Sequence, residues 1–171
     1  MNFSLSRNAP CPCNSGKKYK LCCMGQLTNE QESYYGLVHK EQIIKNKLMR
    51  WARENFEDED LDEYAHDFYS KEFHEITEDE EVANFFDWFF LEALYENKRM
   101  IEYIRENEPS LFAFDELAVI EEWIDSAQAG IFEIVGINKE NWKLTLKEVF
   151  TQKEYEITDR KASEFAIKND V

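Results

Sequence analysis

The sequence predicts an α+β protein with a small N-terminal cysteine-rich module, a mainly helical body and a short C-terminal antiparallel β-meander. All four cysteines of the 171-residue chain lie between residues 11 and 23. Apolar residues then recur at helical spacing as far as residue 129, and alternate with polar residues after Gly130. These changes of pattern divide the chain into three parts. The predicted domains are residues 1–26, 27–130 and 131–171, with the meander packed on the helical domain.

The four cysteines form two close pairs, Cys11 with Cys13 and Cys22 with Cys23. Adjacent cysteines bridge each other only with strain, and the sequence shows no sign of export to an oxidising compartment. A metal ion requires only that four thiolates converge on a tetrahedron, with Zn–S distances of about 2.3 Å. The turn Asn14-Ser15-Gly16 allows this because Asn and Gly tolerate positive φ. The sequence therefore predicts one structural zinc ion with no position open for water, although iron also binds four thiolates.

The stretch SRNAPCPCNSGKKYKLCC, residues 6–23, resembles the SEC-C motif, a small zinc-binding module also found at the C-terminal tail of the SecA translocation ATPase. The agreement includes Arg7, Asn8, both prolines, the Ser-Gly turn and the Lys-Lys-Tyr-Lys run. The resemblance implies that the zinc ligands are Cys11, Cys13, Cys22 and Cys23.

Two positions depart from the pattern of the SEC-C family. Asn14 stands where the family usually has Gly, which a left-handed turn still accepts. Met24 separates the second cysteine pair from Gly25, whereas Gly often follows directly in the family. Neither change removes a ligand, and Cys23 stands at the position where members have either Cys or His.

The resemblance also implies a docking role. In SecA the similar module docks on the chaperone SecB and on ribosomes. The corresponding charges here would come from Arg7, Lys17, Lys18 and Lys20. Tyr19 has two interpretations, as an aromatic contact with the partner or as packing over the zinc loop. The lysines have an alternative interpretation too, in which they only keep the module hydrated.

Charge is unevenly distributed along the chain. Residues 1–29 contain four basic and no acidic side chains, whereas the remainder contains 16 basic and 36 acidic ones. A zinc ion with four thiolates contributes about −2, which leaves the module at about +2 beside an anionic body. The body should repel nucleic acid and anionic membranes. We therefore expect the module alone to approach an acidic protein, a chaperone, a ribosome or RNA.

Five helices are predicted in the body, at about residues 34–56, 61–73, 78–96, 98–106 and 115–129. Thr77 and Glu80 form a capping box before the third helix. Asp115 caps the fifth, with Gly130 at its C′ position. The third helix is apolar almost all round and should lie at the centre of the body.

Three short strands are predicted after Gly130, over residues 131–137, 142–150 and 155–158. The body is also similar to the region beside SEC-C motifs in some uncharacterised bacterial proteins. The similarity is carried by Phe-Asp-Trp-Phe-Phe at 86–90, Trp123-Ile124 with Ser126, Phe-Glu-Ile at 132–134 and Tyr-Glu-Ile-Thr-Asp at 155–159. It implies a shared architecture and brings no known activity.

Other candidate sites carry less weight. Asp58, Asp60 and Asp62 begin like a calcium loop, but the Gly and the final Glu of that loop are missing. His66 and His74 have carboxylates nearby and are interpreted as surface or packing residues. Since the chain has no phosphate-binding glycine loop, nucleophile elbow or HExxH, we predict no catalytic residue.

The function that these features favour is a zinc-dependent, non-enzymatic docking protein whose basic module binds an acidic protein surface such as a chaperone. No apolar run of about 18 residues exists, and the first residues do not read as a secretory signal. We therefore expect a cytoplasmic protein of bacterial type without membrane insertion. Two alternatives stay open: an enzyme with its site in the helical or β part, and weak RNA or ribosome binding through the module.

Overall fold

The computed structural model describes residues 4–13 and 15–170, so the predicted turn residue Asn14 lies outside the described residues. The chain forms two compact units. One contains the described residues of Met1–Val38 and Ala129–Val171, and the other contains His39–Gln128. The predicted division into three domains stays a prediction, because compact units need not fold independently.

The described residues contain six α-helices and two antiparallel sheets, which confirms the α+β class. The helices are α1 Asn29–Asn55, α2 Asp58–Tyr69, α3 Asp79–Leu91, α4 Met100–Asn107, α5 Phe114–Ser126 and α6 Arg160–Phe165. The strands are β1 Leu94–Tyr95, β2 Lys98–Arg99, β3 Phe132–Asn138, β4 Lys143–Glu148 and β5 Glu154–Thr158. Short 3-10 helices cover Tyr19–Leu21, Phe73–Glu75 and Pro109–Leu111. None of the described helices combines the length and apolar character needed to cross a bilayer.

Helix α1 begins five residues earlier than its apolar pattern suggests. Thr28 and Gln31 exchange hydrogen bonds, since Gln31 N donates to Thr28 Oγ1 at 3.2 Å and Thr28 N donates to Gln31 Oε1 at 3.1 Å. This reciprocal arrangement satisfies two backbone donors at the start of the helix. The polar residues that follow Thr28 therefore form the first turn of α1.

Helix α3 forms the centre of the second unit, as expected. Phe85, Phe86, Phe89 and Phe90 are all buried. Burying one such side chain stabilises a fold by about 1.5–3 kcal/mol. The remaining core of this unit comes from the neighbouring helices, and includes Leu61, Ala65, Met100, Ile101, Ile104, Val119 and Ile120.

The predicted ends of α3 are wrong. The helix starts after Glu78, and no side-chain bond from Thr77 caps it. It stops at Leu91 because the chain then forms the β1–β2 hairpin, whose turn residues Glu96 and Asn97 both have positive φ, 51° and 66°. Two positive φ values in a two-residue turn suit the twist of a hairpin. Leu94, expected on an apolar helical face, is consequently 63% exposed.

The predicted cap of α5 is also wrong. Ala113 precedes the helix, and Asp115 lies in its first turn. The backbone N–H of Ala113 is satisfied by Glu116, whose Oε2 accepts from Ala113 N at 2.7 Å. The same oxygen accepts from Lys47 Nζ at 2.6 Å. The helix ends at Ser126, and Gly130 does not have the positive φ of a C′ residue.

Strands β3, β4 and β5 form the predicted meander in that order. The paired residues Ile134, Leu146 and Tyr155 lie on one face of the sheet, because directly opposed residues share a face. Helix α6 follows the sheet and was not predicted. Its cap is Asp159, whose Oδ1 accepts from Ala162 N at 2.7 Å.

Candidate metal centre

The first cysteine pair is held by a short antiparallel bridge between Pro10 and Lys18. Cys11 N donates to Lys17 O and Tyr19 N donates to Ala9 O, each at 2.8 Å. The chain between the two sides of this bridge is turned by Gly16, whose φ is +72°. Glycine adopts a positive φ without steric strain, so the backbone conformation explains why residue 16 is a glycine.

The second pair follows the 3-10 helix Tyr19–Leu21. Cys22 N and Met24 N both donate to Tyr19 O, at 3.1 and 3.2 Å. Gly25 then reverses the chain with a φ of +82°. Met24, which departs from the usual motif, is exposed at the surface.

The four cysteines come together as the sequence predicts, with all four Sγ atoms within 4.8 Å of one another. Cys13 Sγ lies 3.4 Å from Cys11 Sγ and 3.5 Å from Cys22 Sγ, and Cys23 Sγ lies 3.8 Å from Cys22 Sγ. All are free thiols. A tetrahedron with Zn–S bonds of about 2.3 Å has S–S edges of about 3.8 Å. The four sulfur atoms are therefore close enough together to be the ligands of one metal ion.

Burial of the cluster is graded. Cys11 is buried, Cys22 and Cys23 are half-buried, and Cys13 is exposed. Cys11 belongs to a small core with Leu5, Ala9 and Tyr19, against which Leu27 and Tyr35 also pack. A core of this size gives little stability on its own, so a bound metal would supply much of the folding free energy of the module.

The thiols differ in acidity. Hydrogen bonding with Ser15 first, and then with the thiols of Cys11 and Cys22, lowers the pKa of Cys13 to about 6. Burial raises the pKa of Cys11, but hydrogen bonds that include the backbone amides of Cys13 and Cys23 bring it below its ordinary value. Hydrogen bonding of Cys23 to Cys11 and Cys13 raises the pKa of Cys23 to about 12.

Ser15, predicted only as a turn residue, also contacts the cysteine cluster. Its Oγ donates to Cys22 Sγ at 3.2 Å. Hydrogen bonds from neighbours orient and tune metal-binding groups. The signal in the sequence that could have predicted this contact is a hydroxyl residue two positions after the first cysteine pair.

The basic side chains of the module lie at its surface. Arg7, Lys17, Lys18 and Lys20 are all exposed. Within residues 4–13 and 15–170 none of the four forms an ion pair. Tyr19, by contrast, is 1% exposed. The burial of Tyr19 favours packing over a contact with a partner.

A second group of possible ligands lies at the end of α2. One ligand atom each from Asp62, Glu72 and His74 lies within 4.8 Å of the others, and His74 Nδ1 is 3.3 Å from Glu72 Oε2. Asp62 Oδ1 already accepts from Phe73 N at 2.6 Å, which holds the chain after the helix. Glu72 and His74 are exposed, as surface pairs generally are. We interpret the group as a structural contact.

A shallow groove in the second unit is the feature that best matches the alternative of an enzyme with its site in the helical part. Glu41, Lys45, Asp87 and Trp123 are among its lining residues. Burial raises the pKa of Glu41, against the opposing effects of Lys45 and Trp123. Lys45 Nζ already pairs with Asp87 at 2.6 Å.

Two family models match this chain, each over a different stretch of residues. The SEC-C motif matches residues 7–25. A family of unknown function, DUF7986, matches residues 28–171. Protein translocase subunit SecA 1 of Rhodopirellula baltica is 80% identical over 20 residues, a stretch that covers 12% of this chain and 2% of that protein. No solved structure matches the chain.

Proposed function

Since this chain belongs to the DUF7986 family of unknown function and carries an SEC-C motif, we propose that it is a zinc-binding, non-enzymatic docking protein. The observation that carries the proposal is the convergence of four free thiols within 4.8 Å. The proposed ligands of one structural zinc ion are Cys11, Cys13, Cys22 and Cys23. Four protein ligands complete a tetrahedron, so the ion would organise the module and not bind substrate.

The docking part of the proposal is supported by charge. Four exposed cations lie in or beside the motif, and no acidic residue occurs before Glu30. Cations that form no ion pair among the described residues can pair with an acidic surface. Such contacts steer association and weaken with salt. The proposed contact residues are Arg7, Lys17, Lys18 and Lys20, and the proposed partner is an acidic protein surface such as that of a chaperone.

Elemental analysis of protein purified reduced and without added metal tests the zinc claim. We expect one zinc per chain, and none in a Cys22→Ser/Cys23→Ser variant that keeps the helical signal of α1 to α5. Absence of metal in the parent protein would contradict the claim, and iron in place of zinc would correct the metal.

Binding to a synthetic Glu-rich peptide and to single-stranded RNA at graded salt tests docking. We expect the zinc-loaded chain to bind the peptide, and the variant Lys17→Gln/Lys18→Gln/Lys20→Gln to lose this binding. The matched control Lys139→Gln/Lys161→Gln/Lys168→Gln removes the same charge from exposed positions outside the module and should bind like the parent. Binding of RNA without binding of the peptide would favour the nucleic-acid alternative.

A further inference from the structure

Three aromatic side chains and one arginine form a cluster within the first unit, which we term the aromatic clamp: Tyr34, Tyr35, Trp142 and Arg160. The ring centroids of Tyr34 and Tyr35 lie 5.3 and 5.6 Å from that of Trp142, and 5.4 Å from each other. Each distance is typical of a favourable aromatic pair. The clamp therefore joins the start of α1 to the residue just before β4.

Arg160 adds α6 to the clamp. Its backbone N donates to Tyr34 Oη at 3.1 Å, and its Nη1 donates to Tyr35 Oη at 2.9 Å. Its guanidinium also lies over the Trp142 ring, 5.9 Å from the centroid. The neighbouring Asp159 N donates to Trp142 O at 2.8 Å. The first residue of α6 is thus fixed by contacts with both other segments.

Tyr35 takes part in two packing groups at once. Its side chain packs against the small core of the cysteine module, which contains Cys11 and Tyr19. Its hydroxyl accepts the hydrogen bond from Arg160. This one side chain therefore contacts both the cysteine module and the clamp.

We propose that metal binding at the cysteine cluster is energetically coupled through Tyr35 to the order of the C-terminal sheet and α6. The inference rests on the proposed zinc binding. A module this small unfolds without its metal, and unfolding would remove the packing partner of Tyr35. Coupling free energies are reciprocal. If zinc stabilises the clamp by a given factor, loss of the clamp must lower the affinity for zinc by the same factor.

Hydrogen exchange of the full chain, followed by mass spectrometry, tests the coupling directly. We expect removal of zinc by a chelator to speed exchange in residues 143–148 and 160–165 by about tenfold, a common size for coupling between sites. Exchange in α3 should stay unchanged. Faster exchange in residues 7–25 with no change at 143–148 and 160–165 would overturn the inference while leaving zinc binding intact. Failure of the chain to bind added zinc would overturn both this inference and the proposed function.

Variants at the clamp test the reciprocal effect. Tyr35→Phe keeps the packing ring and removes only the hydroxyl that Arg160 contacts, so we expect a several-fold loss of zinc affinity. Arg160→Gln should lose more. The matched control is Glu154→Gln, which removes a carboxylate from an exposed position at the start of β5 that contacts no clamp residue. Zinc affinities equal to the parent in both clamp variants, with sheet exchange increased, would overturn the coupling.

Discussion

At the scale of single residues, the cysteine module places a thiol and an aromatic ring in the same core. Cys11 is 3% exposed and Tyr19 is 1% exposed. Both the candidate ligand atom of Cys11 and the largest ring of the module are therefore shielded by the same few side chains. A change at Tyr19 should alter metal binding although Tyr19 is not a ligand.

Replacing Tyr19 with alanine should weaken zinc binding by at least tenfold. Removing a buried aromatic ring costs about 3–5 kcal/mol, and one factor of ten in affinity corresponds to about 1.4 kcal/mol. Competition with a chromophoric chelator measures the affinity. Tyr19→Phe keeps the ring and should bind like the parent, as should Lys20→Ala at the exposed neighbouring position. Tight binding by Tyr19→Ala would show that the module does not need this core.

At the scale of secondary-structure elements, the helical unit depends on the aromatic side of α3. Phe89 is fully buried and contacts Phe56 and Tyr64 edge-to-face, with centroid distances of 5.6 and 4.9 Å. Phe114, at the first position of α5, is 93% exposed. The two phenylalanines give a matched comparison of the same chemical change in and out of a core.

We expect Phe89→Ala to lower the free energy of unfolding by about 3–5 kcal/mol, and Phe114→Ala to leave it within about 0.5 kcal/mol. Urea unfolding followed by far-ultraviolet circular dichroism measures both. Equal effects of the two substitutions would contradict the placement of α3 at the centre of the unit.

The N-terminal cap of helix α4 includes a titratable side chain, the carboxylate of Glu102. Glu102 Oε2 accepts from Arg99 N at 3.0 Å, and Glu102 Oε1 accepts from Arg99 Nη2 at 3.1 Å. The hydrogen bond from the Arg99 side chain is the main reason that the pKa of Glu102 lies below its ordinary value of 4.5. The unfolded chain therefore binds a proton on Glu102 more readily than the folded chain does.

The resulting stabilisation is present above the unfolded pKa and is lost as the pH falls through the lower, folded pKa. Glu102→Gln should accordingly destabilise the protein at neutral pH and lose less stability than the parent on acidification. The urea midpoints of both proteins at neutral and acidic pH give this difference. Parallel pH dependences would show that Glu102 contributes no titrating stabilisation.

The sequence predicted the elements with clear periodicity and missed those set by local backbone chemistry. The strands of the meander and the existence of α1 to α5 followed from apolar spacing. The β1–β2 hairpin interrupts a stretch of apolar residues. Its main signal in the sequence is Asn97, whose φ in the structure is 66°. Asp115 is predicted to cap α5 because Asp is common at N-caps, whereas the side chain that accepts from the N-cap amide is Glu116, the third residue of the helix.

The candidate site was more predictable than the fold around it. Four thiols within 13 residues have few ways to be satisfied, so their convergence follows from spacing and turn residues. Tyr35 and Leu5 were not predicted to pack beside them. Such contacts depend on where the first turn of α1 passes the module, which no residue pattern in the module specifies.

At the scale of the whole molecule, charge is concentrated in one unit. Residues 39–128 contain 26 acidic and 9 basic side chains, whereas residues 1–38 and 129–171 together contain 10 acidic and 11 basic ones. Like charges in a compact unit repel one another, and salt screens the repulsion over a Debye length of about 10 Å at 0.1 M.

Sodium chloride should therefore raise the thermal unfolding midpoint of the zinc-loaded protein. For a chain of this size, about 1 kcal/mol of relieved repulsion corresponds to roughly 2–4 °C. Differential scanning calorimetry from low to moderate salt measures the shift, and sucrose at equal osmolality controls for solvent exclusion. A midpoint that falls with salt would show that attractive ion pairs outweigh the repulsion.

The aromatic clamp also contains an intrinsic fluorescence probe. Trp51, Trp88 and Trp123 belong to the acidic unit, and Trp142 is the one tryptophan in the sequence of the other. Tyr34 and Tyr35 touch its ring at centroid distances of 5.3 and 5.6 Å. Light absorbed by these tyrosines can pass to Trp142 by resonance transfer, and the efficiency of this transfer falls as the rings move far apart. In a chain that keeps Trp142 alone, the excitation spectrum of its emission would report an open or closed clamp without an added dye.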